Sequence, residues 1–204
     1  MKIIVGLGNP GKQYKKTPHN VGFILMENIV KNAKFKVQND NFPRILSGQV
    51  KFKIEKKFNS EIVEGKIGEE RVIVIKPLTF MNLSGEAIFK FMSLYKDRVS
   101  VSDLIVIHDD SDLDLGRIKI QRGGGSAGHH GIESILKSIG SDDFIRIRIG
   151  IRNKTFGKAM DIVLRSFNTD EEKTFEQVIN RASEAVFLIL TEGIEKAMNK
   201  YNIK

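Results

Sequence analysis

Three unbroken apolar runs, at residues 3–7, 72–75 and 104–107, constrain this chain more than any other feature. Each is too short for a helix core and has no polar position to turn toward water, so each suits a central strand covered on both faces. Gly, Pro or acidic residues follow soon after each run, which puts polar chemistry at strand ends. Helical spacing appears at Val21, Ile24, Leu25 and Ile29, at Ile88, Phe91, Met92 and Tyr95, and from Phe175 through Leu190. Residues 45–54 and 58–66 predict a lysine-rich edge hairpin. Gly116–Gln121 and Ile145–Ile149 alternate apolar with polar or basic residues, which predicts one face packed inward and one presenting cations. The sum is a single α/β domain, residues 1–204, with a mixed sheet and helices on both faces.

With 204 residues, 41% of them hydrophobic, one good core can form. No Pro/Gly/Ser-rich linker or repeat divides the chain, and no run approaches the roughly 18 apolar residues of a membrane span. Zero cysteines exclude thiol catalysis, disulfides and thiolate metal sites. The N-terminus lacks signal-peptide features, so a cytoplasmic protein is expected. The net charge of +8 is uneven: residues 1–57 carry +9, 58–116 carry −5, 117–165 carry +6 and 166–204 carry −2. The second basic block includes Arg117, Lys119, Arg122, Arg146, Arg148, Arg152, Lys154, Lys158 and Arg165. If folding joins the two basic blocks they make a phosphate-attracting face.

The first apolar run leads into Gly6-Leu7-Gly8-Asn9-Pro10-Gly11, which satisfies the dinucleotide fingerprint G-x-G-x-x-G. That fingerprint needs a helix opening within the glycines, and Pro10 and Pro18 oppose one before about Asn20. The segment reads instead as a long loop carrying Asn9, Tyr14 and His19 into a site, its glycines providing the turn. The third run ends in His108-Asp109-Asp110-Ser111-Asp112-Leu113-Asp114. A calcium loop fails on register, because Leu115 stands where glycine is needed and Gln121 where a bidentate carboxylate is needed. Asp109, nearest the strand, suits the task of holding a histidine in one tautomer. Gly124 to Gly128 satisfies the G-x-S-x-G elbow of serine hydrolases, but only His129 and His130 follow Ser126, in the same loop and without a preceding acid. A glycine-rich wall that lets a substrate backbone approach closely is the better reading. After the second run, Phe80 and Met81 precede Asn82, an apolar wall beside one amide, and Asn82 or Ser84 can cap the helix near Glu86.

Together, G-L-G-N-P-G-x-x-Y-x-x-T-x-H-N-V-G-F, K-P-x-T-F-M-N-x-S-G and H-D-D-x-D-L-x-x-G with the following glycine run and G-H-x-G closely resemble bacterial peptidyl-tRNA hydrolases over most of residues 3–151. The resemblance implies a three-layer α/β/α fold and hydrolysis of the ester joining a peptide to the terminal ribose of tRNA, without metal or cofactor. It implies His19 as general base, Asp109 as its support, and Asn9 as the group that separates N-blocked from free aminoacyl chains. Tyr14, Phe80 and Asn82 match positions lining the substrate site. Lys119, Arg122, Arg146 and Arg148 are candidates for tRNA phosphates. Partners beyond tRNA are not implied; no membrane association and a monomer are expected. His130 stands where the family usually has Asn, Pro18 where it has Arg, Ser111 where it has Leu and Ala127 where it has Gly. A non-catalytic RNA-binding protein on the same scaffold is the main alternative, and a Ser126-dependent esterase a third.

Overall fold

The computed structural model describes residues 1–32, 34–37, 51–152 and 169–202. The strands are β1 Lys2–Gly6, β2 Phe35–Val37, β3 Lys53–Glu55, β4 Ser60–Ile67, β5 Glu70–Pro77, β6 Leu104–Asp114, β7 Ile118–Arg122 and β8 Ile145–Arg152. The helices are α1 Val21–Lys31, α2 Ser84–Leu94, α3 His130–Ile139, α4 Thr169–Glu192 and α5 Ile194–Tyr201.

One eight-stranded sheet runs β2-β4-β5-β1-β6-β8-β7, with β3 also paired to β4. The three apolar runs become its centre, where β1 pairs in parallel with β5 and β6, and β6 with β8. Helices α1, α4 and α5 pack on one face around Ile4, Leu25, Ile105, Ile147, Val178 and Ala182. On the other face α2 and α3 bury Val5, Ile88, Phe91, Val106, Ile132 and Ile135. The resulting three layers are the α/β/α arrangement expected. Parallel order puts the C-terminal ends of β1, β5 and β6 at one edge, with the polar motifs on them.

Several local expectations change. The hairpin partner of β4 is chiefly β5, in an eight-residue register across Gly68, while the short β2 and β3 share its other edge. Residues 45–50 of the expected hairpin, like Lys154, Lys158 and Arg165 of the basic block, lie outside the described residues. Strand β6 does not stop before its acids but continues to Asp114, with a register shift between Asp110 and Asp114. Helix α3 adds to the helices expected, with Ile132, Ile135, Leu136 and Ile139 at helical spacing. Strand β8 is buried on both faces up to Ile151: its isoleucines enter the core, Arg146 lies under the carbonyls of Gly123 and Gly125, and Arg148 is held by Asp110 and Gln121, so these two arginines are not on an open face, whereas Arg152 at its end is exposed. Among the fingerprint glycines only Gly11 has positive φ, at 120°. Gly6 instead lets α1 sit against β1: a Cβ there would stand 2.3 Å from the Gly22 carbonyl oxygen. Among the described residues no helix is long and apolar enough to cross a membrane.

Candidate active site

His19 reaches the site from a single 3-10 turn, Pro18–Asn20, just before α1. Pro18 occupies its first position, where its fixed φ suits the turn and its missing N–H costs nothing. The His19 Nδ1 lies 2.9 Å from Asp109 Oδ1, and Asp109, inside β6, is only 2% exposed. The same carboxylate oxygen lies 3.0 Å from His129 Nε2.

The partners assign both tautomers. His129 is the N-cap of α3, and its Nδ1 accepts from the backbone N–H groups of Gly131 at 3.1 Å and Ile132 at 3.2 Å. Its ring hydrogen is therefore on Nε2, which donates to Asp109. Asp109 also accepts from His19 Nδ1–H, which leaves the lone pair of His19 Nε2 free. Burial alone would raise the Asp109 pKa, but His129 and the hydrogen bonds from both histidines hold it well below the usual carboxylate range. A third histidine closes the group from beneath. His108 is 3% exposed, its Nδ1–H donates to the Asp109 carbonyl at 2.7 Å, and its ring meets that of His129 edge-on at 4.6 Å. Its Nε2 is buried without a partner among the described residues. Burial and the neighbouring His129 push its pKa well below the ordinary histidine value, with Asp109 opposing.

These groups border a cleft of about 720 Å³ that also takes in Asn9, Phe80, Asn82, Ser126, Ala127 and His130. Asn9 is fixed from two directions. Asn20 pairs with its backbone, accepting from the Asn9 N–H at 2.8 Å and donating to its carbonyl at 2.9 Å. The Asn9 side-chain Oδ1 accepts from the Met81 N–H at 2.8 Å. Its Nδ2, with two donors, has no partner among the described residues and is the unspent end of the amide. Phe80 is 57% exposed. Asn82 lies exposed in the 3-10 turn Met81–Leu83. Helix α2 starts at Ser84 with Leu83 as N-cap and no side-chain cap, so the predicted capping by Asn82 or Ser84 does not occur and the Asn82 amide is not spent on it. His130 lines the cleft with its side chain 74% exposed and its Nδ1 3.6 Å from Glu133 Oε2. The Ser126 hydroxyl accepts from the Gly128 N–H at 3.3 Å, with no histidine bonded to it among the described residues.

Tyr14 does not line this cleft; its carbonyl accepts from the Thr17 backbone N–H at 3.1 Å and the Thr17 hydroxyl at 2.9 Å, anchoring the turn that precedes His19. The four candidate cations separate into two kinds. Lys119 is exposed, and Arg122 is exposed and paired with Asp143 at 3.2 Å. Arg148 is largely buried, bonded to Asp110 and donating to Gln121 Oε1 at 2.9 Å. Arg146 is 2% exposed, and its guanidinium donates to the carbonyls of Gly125, at 2.7 Å, and Gly123. Burial and the nearby Arg148 lower its pKa, with Asp142 and Asp110 opposing. As it stands Arg146 holds a loop from below and does not face solvent.

His19, Asp109 and His129 offer ligand atoms within 4.8 Å of one another. A cation placed among them would have to displace both of the hydrogens that join the imidazoles to Asp109, so the arrangement is suited to proton handling. Two parts of the site are not legible in the sequence. His129 is part of G-H-x-G, but histidine is an uncommon N-cap and nothing local distinguishes it from His130. Asn20 follows His19 directly, and its role appears only when the chain folds back on Asn9.

Comparison with known proteins gives the family of the chain. A family model described as peptidyl-tRNA hydrolase matches residues 3–204. A peptidyl-tRNA hydrolase of Caldanaerobacter subterraneus subsp. tengcongensis is 41% identical over 202 residues, 99% of this chain and 100% of that protein. One from Thermodesulfovibrio yellowstonii is 39% identical over 204 residues, covering 99% of each. The crystal structure of peptidyl-tRNA hydrolase from Acinetobacter baumannii superposes with a TM-score of 0.81 at 30% identity, covering 99% of this chain and 94% of that one.

Proposed function

Because this chain belongs to the peptidyl-tRNA hydrolase family and hydrolyses peptidyl-tRNA, we propose that His19 is its general base, Asp109 the support of that base, and His129 the group that holds Asp109 in place. The observation that carries this reading is the shared carboxylate oxygen, 2.9 Å from one imidazole and 3.0 Å from the other: of the two unprotonated nitrogens this leaves, His129 Nδ1 already accepts from the Gly131 and Ile132 N–H groups, and His19 Nε2 is open to water.

Water bonded to that nitrogen attacks the ester carbonyl, its proton passing to Nε2 as the new C–O bond forms. The imidazolium is stabilised by the buried Asp109 carboxylate. Collapse of the tetrahedral intermediate breaks the bond to the ribose oxygen, which takes the proton from His19. The products are a peptide carboxylic acid and a tRNA hydroxyl. A well-placed base contributes about 10²- to 10⁴-fold to such a step.

Asn9 recognises the blocked chain through Nδ2. With Oδ1 committed to Met81, the amide presents donors only, which suit a peptide carbonyl and repel the donors of a free ammonium. Phe80 supplies the apolar wall, Asn82 and His130 polar contacts at the rim, and Tyr14 acts through its main chain on the His19 turn. Lys119 and Arg122 are exposed for phosphates, with Arg148 available where Asp110 yields it. We read residues 1–204 as one domain, since both ends of the chain pack on a single sheet. A monomer is favoured because the cleft is complete within one chain, and a cytoplasmic location because the substrate is a product of translation.

The test is release of N-acetyl-aminoacyl from tRNA by the purified protein, beside the unblocked aminoacyl-tRNA. Rapid release of the blocked form alone is expected. Binding of blocked tRNA without turnover identifies a catalytically inert RNA-binding protein, and equal release of both forms removes Asn9 from its role.

A further inference from the structure

The loop at residues 123–128 ties down its carbonyls and leaves several amides unspent. Arg146 takes the carbonyls of Gly123 and Gly125. Among the described residues there is no cis peptide, and in a trans unit N–H and C=O point opposite ways. The Ser126 N–H therefore points away from Arg146. The N–H groups of Gly123 and Gly124 are used, by Phe144 and Asp142, and that of Gly128 by Ser126 Oγ. Those of Gly125, Ser126 and Ala127 have no partner among the described residues. Positive φ at Gly124, Ala127 and Gly128, of 98°, 49° and 76°, curls this stretch into the kind of concavity that collects anions.

A second, independent observation concerns charge. Arg146 is a guanidinium 2% exposed, yet among the described residues no carboxylate hydrogen-bonds it, and its Nε has no partner at all. Buried charges are ordinarily paired. The Arg146 guanidinium lies over the Phe144 ring and donates to two peptide carbonyls, polarising the amides on the far side of those units, that of Gly124, which Asp142 takes, and that of Ser126. Space is available above them: a Cβ on Gly125 or Gly128 would meet nothing within 4 Å. Ser126, Ala127 and Gly128 border the cleft.

We propose that the amides of Gly125, Ser126 and Ala127, the middle one polarised from beneath by Arg146, form a binding site for a phosphodiester of the tRNA acceptor end. This rests on the assignment of peptidyl-tRNA as substrate. The loop is mostly exposed, whereas Asp109 is buried, so the site serves a phosphate at the mouth of the cleft and not the tetrahedral intermediate beside His19. Recognition by backbone amides reads no base, as an enzyme handling many tRNAs requires. It also gives Arg146 a part in phosphate binding without contact.

Titration of ¹⁵N-labelled protein with inorganic phosphate, against chloride of equal ionic strength, tests the site apart from any activity. Saturable shifts are expected at the Gly125, Ser126 and Ala127 amides, with affinity weakened by about tenfold or more in Arg146→Gln and largely restored in Arg146→Lys. Shifts equal in chloride, centred elsewhere, or unchanged in Arg146→Gln overturn the proposal. Should Arg146→Gln not fold, the wild-type and Arg146→Lys titrations decide alone. With blocked tRNA, Arg146→Gln should raise KM about tenfold with kcat within about twofold. A fall in kcat at unchanged KM assigns the loop to the transition state and also overturns it.

Discussion

The group around Asp109 and the loop at residues 123–128 border one cleft but are built from different materials. Around Asp109, three histidines from three parts of the chain converge as side chains, in a buried setting where the hydrogen bonds fix which nitrogen of each ring is protonated. In the loop the working groups are backbone amides, exposed, and fixed by one buried arginine below them. The first arrangement moves a proton and needs defined tautomers; the second holds charge and needs only amides in a curve. Residue identity is therefore critical in one region, while in the other backbone conformation matters more.

Substitutions measure that contrast. The largest effect is expected at the base: His19→Ala should lower kcat on blocked tRNA by about two to four orders of magnitude with binding nearly intact. Asp109→Asn should cost less, about 10- to 100-fold, because the amide oxygen still accepts hydrogen bonds while the charge that stabilises the imidazolium is gone. A greater loss than in His19→Ala would reverse the two roles.

Stability against pH probes the same group from beneath. His108 is depressed in the folded state, so below the ordinary histidine pKa of about 6.5 the unfolded chain takes up a proton that the folded one refuses, and stability falls as pH falls, by up to about 1.4 kcal/mol per pH unit. Asp109 is also depressed, and its contribution is lost progressively as pH falls through the ordinary carboxylate range and below it. His108→Asn keeps the donor to the Asp109 carbonyl and does not titrate, so denaturation series between pH 7 and 5 should show a shallower fall than wild type. An identical slope would place the proton uptake elsewhere.

The smallest effect belongs to the loop. Ala127 at φ 49° carries left-handed strain. Ala127→Gly should stabilise by about 0.5–1 kcal/mol, the strain relieved less the entropy glycine adds to the unfolded chain, seen as a Tm rise of about 1–4 °C. A lower Tm would mean that the methyl group packs against something worth more than the strain.

The same division governed what could be read from residues alone. The apolar runs located β1, β5 and β6, and 3.6-residue spacing located α1, α2 and α4, because hydrophobic period is a local property. His19, Asp109, Asn9, Phe80 and Asn82 stood in motifs at strand ends, and they converge on one cleft in the fold. Alternation reports only that two faces differ, so it does not show that Arg146 lies under cover; the lid over it comes from a loop more than 20 residues away in sequence. His129 and Asn20 act through long-range and return contacts that no spacing displays.

The most direct test of the central claim is the pH dependence of kcat on N-acetyl-aminoacyl-tRNA for the wild type and His19→Ala. Wild type should lose activity on acidification through one protonation. His19→Ala should be slow and show no such limb. A limb that persists at the wild-type position in His19→Ala would contradict the account, because the proton would then belong to another group.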